Sequence, residues 1–254
     1  MTLADRSGVV GEGAGVTHVI FFDVDGTLLR SGGAANAVHQ DAFAHAFRTV
    51  WGVEARIDEI PHAGMTDMWI IDELMGTHGV AAAEVAGRME EACAAMVAYC
   101  DAHAASIGVA VLPGVERLLA ALAARRDVVL GLVTGNLAPI GAAKIAASGL
   151  GGYFSTGGFG SDHRSRAQLI RLALARVHAA FPGVPASPLR VFHVGDTLHD
   201  VRAAAEAGVE GVGVATGTTS VAALRDSEWH PAAVLLDLTD TAHVLHTVFG
   251  LPPL

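Results

Sequence analysis

The chain has few charged or aromatic residues, only two cysteines and no long apolar run. Of its 254 residues, 17% are charged and 6% are aromatic. No run of about 18 apolar residues occurs, so the sequence predicts no membrane span. The net charge of −10 argues against nucleic acid or an anionic membrane as the main partner, because both need a cationic surface. An anionic substrate would have to be held by a metal ion or by a few local cations.

Cysteine spacing and the first residues bear on location. Cys93 and Cys100 lie on one predicted helix, which separates them by roughly 10 Å, too far for a disulfide. A reducing, cytoplasmic location is therefore expected. Residues 1–16 show neither the basic nor the apolar segment of a signal peptide, and their glycines and lack of periodicity predict a flexible arm.

The order of helical and strand patterns predicts two parts. From residue 109 onward strands alternate with helices, which is typical of a parallel sheet covered on both faces. Residues 33–108 contain helical patterns only, with a one-sided apolar stripe between Ala34 and Val50. We predict an α/β, Rossmann-like core (residues 17–32 and 109–254) with an inserted all-helical cap (residues 33–108). A short strand near Tyr153–Thr156 and a last helix near Thr241–Phe249 are also expected.

Two carboxylates follow the first predicted strand, which covers Val19–Phe22. Asp23 and Asp25 are two positions apart, so in an extended chain they point the same way, with Cα atoms about 6.6 Å apart. Gly26 permits a sharp turn and Thr27 offers a hydroxyl to it. Such acids suit Mg²⁺, although an isolated pair of this kind is more often an ordinary acidic turn.

Polar groups also end two later strands. Thr134-Gly135-Asn136 follows the predicted strand of residues 127–134, and Asp196 and Asp200 follow the strand Leu189–Val194. Ligands of open parallel sheets bind outside the carboxyl ends of the strands. Four carboxylates at neighbouring strand ends therefore predict a site rather than scattered surface acids.

Together these motifs resemble the haloacid dehalogenase-like hydrolase superfamily, in its phosphoglycolate phosphatase-like branch with a helical cap. The resemblance covers the chain from about residue 17. It implies that Asp23 attacks phosphorus to form an aspartyl-phosphate and that Asp25 is the general acid and base. Mg²⁺ would be held by Asp23, the carbonyl group of Asp25, and Asp196, with Asp200 either a further ligand or, as we favour, a partner behind the ligands.

The same resemblance implies the phosphate-binding groups and the substrate class, a small phosphorylated metabolite. The phosphate would be bound by the hydroxyl of Thr134 and by its neighbours at the strand ends and in the cap, namely Gly26, Thr27, Gly135, Asn136 and Thr66. For Thr66 and for His62 the choice between substrate contact and helix capping or exposure stays open. His199, between two site acids, is expected at most to support them.

A fixed cation beside the phosphate is also expected. The lysine-proline pair common in the family after the third strand is absent, and Lys144 is the only lysine of the chain. If Pro139 is the first residue of its helix, Lys144 lies about 7.5 Å along the axis and its side chain points back toward the site. We expect Lys144 to be the phosphate-binding cation, with Arg166 as the leading alternative and Arg164 beside it.

Related activities are partly separable from the sequence. The family's dehalogenases lack an acid at the position of Asp25, and its phosphonate-cleaving members need a lysine in the insertion, where residues 34–107 contain none. A phosphosugar mutase stays open, because its core chemistry is shared. Outside enzymes of this kind, the alternatives are a phospho-aspartate signalling module resembling a receiver and a catalytically silent relative. The sequence predicts neither the individual substrate nor the oligomeric state.

Overall fold

Within the described residues, six parallel strands form the sheet that organises the fold. The structure is a computed structural model that describes residues 15–30 and 34–252. In spatial order the strands are β3-β2-β1-β4-β5-β6. Their bounds are β1 His18–Phe22, β2 Val128–Thr134, β3 Thr156–Phe159, β4 Arg190–Gly195, β5 Glu210–Val214 and β6 Ala233–Leu235. With helices on both faces of this sheet, the predicted α/β, Rossmann-like fold class is confirmed.

Nine α-helices accompany the strands within the described part of the chain. They are α1 Ala34–Trp51, α2 Asp67–Thr77, α3 Ala82–Ala102, α4 Val115–Ala123, α5 Ala138–Ala147, α6 Arg166–Ala180, α7 Leu198–Ala207, α8 Val221–Arg225 and α9 Thr241–His243. A π-helical turn, Val244–Val248, continues α9. Measured over the described residues, every helix is too short or too polar to cross a bilayer.

Strand β1 is the centre of the sheet and sets the place of the candidate site. All five of its residues are buried between β2 and β4, as expected for a strand covered on both faces. Its last residue, Phe22, is in register with Leu132 of β2 and Val194 of β4. The carboxyl ends of these three strands are therefore neighbours, and the polar groups that follow them must meet.

Separate apolar clusters cover the two sheet faces and fill the insertion between β1 and α4. Leucines of α4 pack on one face around Phe22, and α6 packs on the other face around Phe21. Helices α1, α2 and α3, here called the helical insertion, bury their apolar sides against one another around Phe43, Phe47 and Leu74. Leu137 and Ile140 join this last cluster, so the insertion rests against the start of α5.

Several element boundaries differ from the expectation. The third strand is Thr156–Phe159 rather than Tyr153–Thr156, because its glycines hide the strand pattern while allowing close packing. The last helix changes from α to π geometry after His243 instead of continuing to Phe249. Pro139 is the second, not the first, residue of α5. Of the predicted arm, residues 1–14 lie outside the described residues, and Val16 is buried against the sheet.

Gly158→Ala should lower the free energy of unfolding by about 1–3 kcal/mol, the usual cost of overpacking. A Cβ atom at this position would lie 2.2 Å from the carbonyl oxygen of Leu169 in α6. Gly151→Ala is the control, because a Cβ atom there would meet no heavy atom within 4 Å. Urea unfolding measures both variants, and equal stabilities would contradict the close contact between β3 and α6.

Candidate active site

Three acids converge at the carboxyl ends of β1 and β4. Asp23, Asp196 and Asp200 are buried, and each offers an oxygen within 4.8 Å of the others. The backbone of two glycines packs closely against the carboxylate of Asp196. A Cβ atom at Gly26 would lie 2.4 Å from Oδ2 of Asp196, and a Cβ atom at Gly217 would lie 1.7 Å from the same oxygen. Any larger residue at either glycine would therefore clash with the carboxylate of Asp196.

The buried carboxylates of this cluster repel one another, and a cation would reduce that repulsion. Burial, together with the charges of Asp200 and Asp23, raises the pKa of Asp196 to about 8. Burial also raises the pKa of Asp23 to about 6, with Arg166 opposing and Asp200 and Asp25 adding to the rise. A divalent ion would relieve this repulsion, and carboxylate oxygens are the donors that hard cations prefer. The residues present therefore fit a divalent metal ion.

Asp200 has protein partners at both of its oxygens. Oδ1 lies 3.1 Å from Nε2 of His193 and 2.7 Å from the guanidinium group of Arg166. Oδ2 accepts hydrogen bonds from the amide and hydroxyl of Thr197 at 3.0 and 2.6 Å. Against the effect of burial, these partners hold the pKa of Asp200 well below its usual range. Both oxygens of Asp200 are therefore engaged by protein groups, and its place behind the ligands of a metal ion stays a prediction.

Arg166, the alternative cation of the sequence analysis, adjoins the predicted nucleophile. Its NH2 atom lies 2.9 Å from Oδ1 of Asp23, and the side chain is buried. NH1 donates to the carbonyl oxygen of Gly64 in the insertion at 3.0 Å, while Nε is buried with no partner among the described residues. Arg164, by contrast, lies near the surface and pairs with Asp72.

Lys144 instead adjoins the second acid of the first motif. Its Nζ atom donates to Oδ2 of Asp25 at 2.7 Å and to Oδ1 of Asn136 at 3.1 Å. Asn136 also donates to Oδ2 of Asp25, at 2.9 Å. Burial alone would raise the pKa of Asp25, but Lys144 and Asn136 outweigh it and lower that pKa. The pKa values of the two acids that follow β1 are therefore shifted in opposite directions.

A chain of contacts continues from Lys144 into the insertion. Nζ of Lys144 lies 3.2 Å from Nδ1 of His39, whose Nε2 atom lies 3.1 Å from Oδ2 of Asp67. The same Asp67 oxygen accepts the amide of Leu137 at 2.8 Å, and the Asp67 amide donates to Gly135 at 2.8 Å. Sequence reasoning did not single out His39, because no local pattern distinguishes it from the other histidines. His193, inside an apolar strand, was missed for the same reason.

The remaining predicted residues fall into two groups. Thr27 donates to Oδ1 of Asp196 at 3.3 Å, and Thr134 accepts the side-chain amide of Asn136 at 2.8 Å, so both belong to the site. Thr66 caps α2 by accepting the amide of Trp69 at 3.3 Å and donates to the carbonyl group of Arg164. His199 is half-buried outside the main cavity, and burial lowers its pKa.

A cavity of about 260 Å³ lies between the strand ends and the helical insertion. The strand ends supply its charged groups, among them Asp23, Asp25 and Asp196, together with Thr134 and Gly135. The insertion supplies the other wall, with amide, imidazole and apolar side chains from Asn36, His39, Gln40, Phe43, His62 and Met65. A small molecule bound here would be enclosed between the acids of the strand ends on one side and the insertion on the other, where the carboxylate of Asp67 lies 3.1 Å from Nε2 of His39.

Thermal stability of the metal-free protein should fall as the pH rises from about 7 to about 8.5. Since the pKa of Asp196 is raised to about 8, the folded chain keeps a proton that the unfolded chain has already lost. Loss of that proton with rising pH leaves a repulsive charge in the folded state. The melting temperature in EDTA should drop by about 2–4 °C, the effect of roughly 1 kcal/mol in a protein of this size.

Asp196→Asn is the matched variant, and its melting temperature should not show this decline. The lowered pKa values of His18 and His199 affect stability only at lower pH, where unfolded histidine still gains a proton. Mg²⁺ should stabilise the natural protein most at the upper end of the range. A melting temperature in EDTA that is level or rises with pH would contradict the described cluster.

Comparison with known proteins agrees with this geometry. The model of the haloacid dehalogenase-like hydrolase family matches residues 17–208. A comparison with curated proteins found no match.

Solved structures share the fold at low sequence identity. One is a predicted phosphatase from Clostridium acetobutylicum, with a TM-score of 0.63 and 17% identity over 93% of this chain and 100% of the other. A predicted phosphoglycolate phosphatase from Haemophilus somnus 129pt has a TM-score of 0.61 and 19% identity, over 90% and 97%. A suspected beta-phosphoglucomutase from Thermotoga maritima has a TM-score of 0.55 and 21% identity, over 92% and 100%. Since the family model matches more than half of its length, the chain belongs to the haloacid dehalogenase-like hydrolases.

Proposed function

We propose that the protein is a Mg²⁺-dependent phosphatase that hydrolyses a small phosphomonoester through an aspartyl-phosphate on Asp23. The observation that carries this proposal is the contrast between the two acids after β1. Asp23 adjoins Arg166 and the acid cluster, whereas Asp25 is held by Lys144 and Asn136. Two carboxylates with different environments suit a nucleophile and a proton-transferring group.

The reaction would proceed in two displacements at phosphorus. An oxygen of Asp23 forms the new bond to phosphorus while the ester bond breaks, and Asp25 gives its proton to the leaving oxygen. Asp25 then removes a proton from water, which attacks phosphorus, releases inorganic phosphate and restores Asp23. Arriving phosphate adds negative charge beside Asp25, which favours the protonated form needed for the first step.

The chain's own groups would hold the phosphate during both steps. The buried Nε atom of Arg166, which has no partner among the described residues, is a donor available to a phosphoryl oxygen. Thr134 and Gly135 line the same cavity and can contribute a hydroxyl and an amide. Asp23, the carbonyl group of Asp25, and Asp196 would hold a Mg²⁺ ion. The ion would reduce the repulsion between the anionic phosphate and the Asp23 carboxylate.

The helical insertion would act as a cap over this site. A cavity of about 260 Å³ enclosed by the insertion suits a small metabolite better than a phosphoprotein. An enclosed site also excludes bulk water from the reacting groups. Cys93 and Cys100 are both free, in keeping with the proposed cytoplasmic location.

Other fates of the phosphoryl group remain distinguishable by experiment. A mutase would return the group to a sugar, and one solved structure of this fold carries the name of such an enzyme. A receiver-like module would keep it on the aspartate, yet receivers have no helical insertion of the kind formed by α1 to α3. Release of inorganic phosphate from small phosphomonoesters with Mg²⁺ separates the phosphatase from both.

Asp23→Asn should lower kcat by roughly 10³-fold or more, because an amide cannot attack phosphorus. Asp25→Asn should lower it by about 10²–10⁴-fold, the usual contribution of a general acid–base group. Phosphate release with Mg²⁺ measures both, and circular dichroism checks that each variant is folded. The exposed Asp41→Asn is the control. Undiminished hydrolysis by Asp23→Asn would remove the proposed nucleophile.

Lys144→Met should lower kcat by about tenfold or more and move the pH limb due to Asp25 to higher pH, because Lys144 lowers the pKa of Asp25. Inhibition by inorganic phosphate should change little, since Arg166 rather than Lys144 adjoins Asp23. The control is Arg225→Met, at an exposed arginine of α8. Loss of phosphate inhibition in Lys144→Met would identify Lys144 as the phosphate-binding cation instead.

A further inference from the structure

The helical insertion forms one wall of the cavity. Among the described residues, this wall is polar but contains no lysine or arginine. Its polar groups include the side chains of Asn36, Gln40 and His62. Apolar residues of the insertion lie between them, namely Phe43, Ile57, Met65 and Ile70. This wall faces the strand ends, so it is the surface that the leaving group of a phosphomonoester would meet.

The nearby cations are already paired. Arg166 is the one arginine or lysine among the described residues that line the cavity, and it contacts Asp23 and Asp200 at 2.9 and 2.7 Å. Lys144 lies behind Asp25, to which it donates at 2.7 Å. A carboxylate or second phosphate on the leaving group would therefore lose water without gaining a free cation, which is unfavourable.

His39 cannot serve as the missing cation. The ammonium group of Lys144 only donates, so the Nδ1 atom of His39, 3.2 Å from Nζ, must accept. The Nε2 atom then carries the ring proton and donates to Asp67 at 3.1 Å. Both ring nitrogens of His39 are thus engaged by neighbouring residues. These two contacts together select the neutral imidazole.

Two polar atoms on this wall are open acceptors. The Oδ1 atom of Asn36 is buried and has no hydrogen-bond partner among the described residues. His62 donates from Nδ1 to the carbonyl oxygen of Ile60 at 3.1 Å, which in a neutral ring leaves Nε2 as an acceptor. An open acceptor matches a hydroxyl donor and repels a carboxylate oxygen, to which the wall offers only the uncharged amide donors of Asn36 and Gln40.

We propose that this wall is a subsite for an uncharged, hydroxyl-bearing leaving group, such as that of a polyol or sugar phosphate, with Asn36 as the residue that accepts its hydroxyl. The proposal rests on the phosphatase function proposed above and narrows its substrate class. The subsite would favour such substrates over carboxylated ones of similar size, including phosphoglycolate.

Two esters of similar size test the subsite, glycerol monophosphate and phosphoglycolate. With Mg²⁺ at mildly alkaline pH, where imidazoles are neutral, kcat/KM should be at least about tenfold higher for glycerol monophosphate. Asn36→Leu should reduce this preference by about tenfold, because the variant loses the acceptor while leaving no protein group unpaired. Asp41→Asn, exposed on the same helix, is the control and should keep the preference.

A variant that adds a cation supplies the opposite test. Gln40→Arg places a guanidinium group on the wall and should raise kcat/KM for phosphoglycolate relative to glycerol monophosphate by about tenfold or more. A preference that stays unchanged in both Asn36→Leu and Gln40→Arg would overturn the subsite, whatever the activity of the natural protein.

Binding to the Asp23→Asn variant separates this proposal from the phosphatase proposal. Isothermal titration calorimetry with Mg²⁺ should rank glycerol monophosphate above phosphoglycolate. That ranking without turnover by the natural protein would support the subsite and overturn the phosphatase function. Tighter binding and faster hydrolysis of phosphoglycolate would overturn the subsite and leave the phosphatase function standing, and binding of neither ester would overturn the subsite.

Discussion

Charge crowding at the end of β1 is the constraint on which the rest of the site depends. Asp23, Asp196 and Asp200 bring carboxylate oxygens within 4.8 Å of one another in a buried place. Burial and mutual repulsion raise the pKa values of Asp23 and Asp196, so the folded chain keeps both acids ionised only beside positive charge. Arg166 supplies part of that charge to Asp23 and Asp200. The remainder is what a bound divalent ion would provide.

A second group of charges ties the site to the helical insertion. Lys144 holds Asp25 at 2.7 Å and lies 3.2 Å from His39 of α1. Arg166 donates to the carbonyl oxygen of Gly64, so the guanidinium group beside Asp23 also anchors a loop of the insertion. Because these contacts cross from the sheet to the insertion, movement of the insertion would alter the surroundings of both acids. The helical insertion and the two acids are therefore coupled electrostatically.

The predictable parts of this protein are those carried by local pattern. The buried run before Asp23 marks the central strand, and polar groups after it and after β2 and β4 mark one edge of the sheet. The glycine-rich strand β3 was misplaced because Gly157 and Gly158 have no side chains to show an alternating pattern. For Thr66 the sequence cannot distinguish substrate contact from helix capping. In the structure its hydroxyl caps α2.

The sequence by itself determined the fold class and the acids that meet at the strand ends, because strand order and side-chain alternation are local properties with a regular period. Only the tertiary structure decided which cation faces which acid. Lys144 and Arg166 are both buried at the same edge of the sheet, yet one contacts Asp25 and the other Asp23 and Asp200. These contacts join residues 34 to 143 positions apart in the chain, and no local pattern records a distance of that kind.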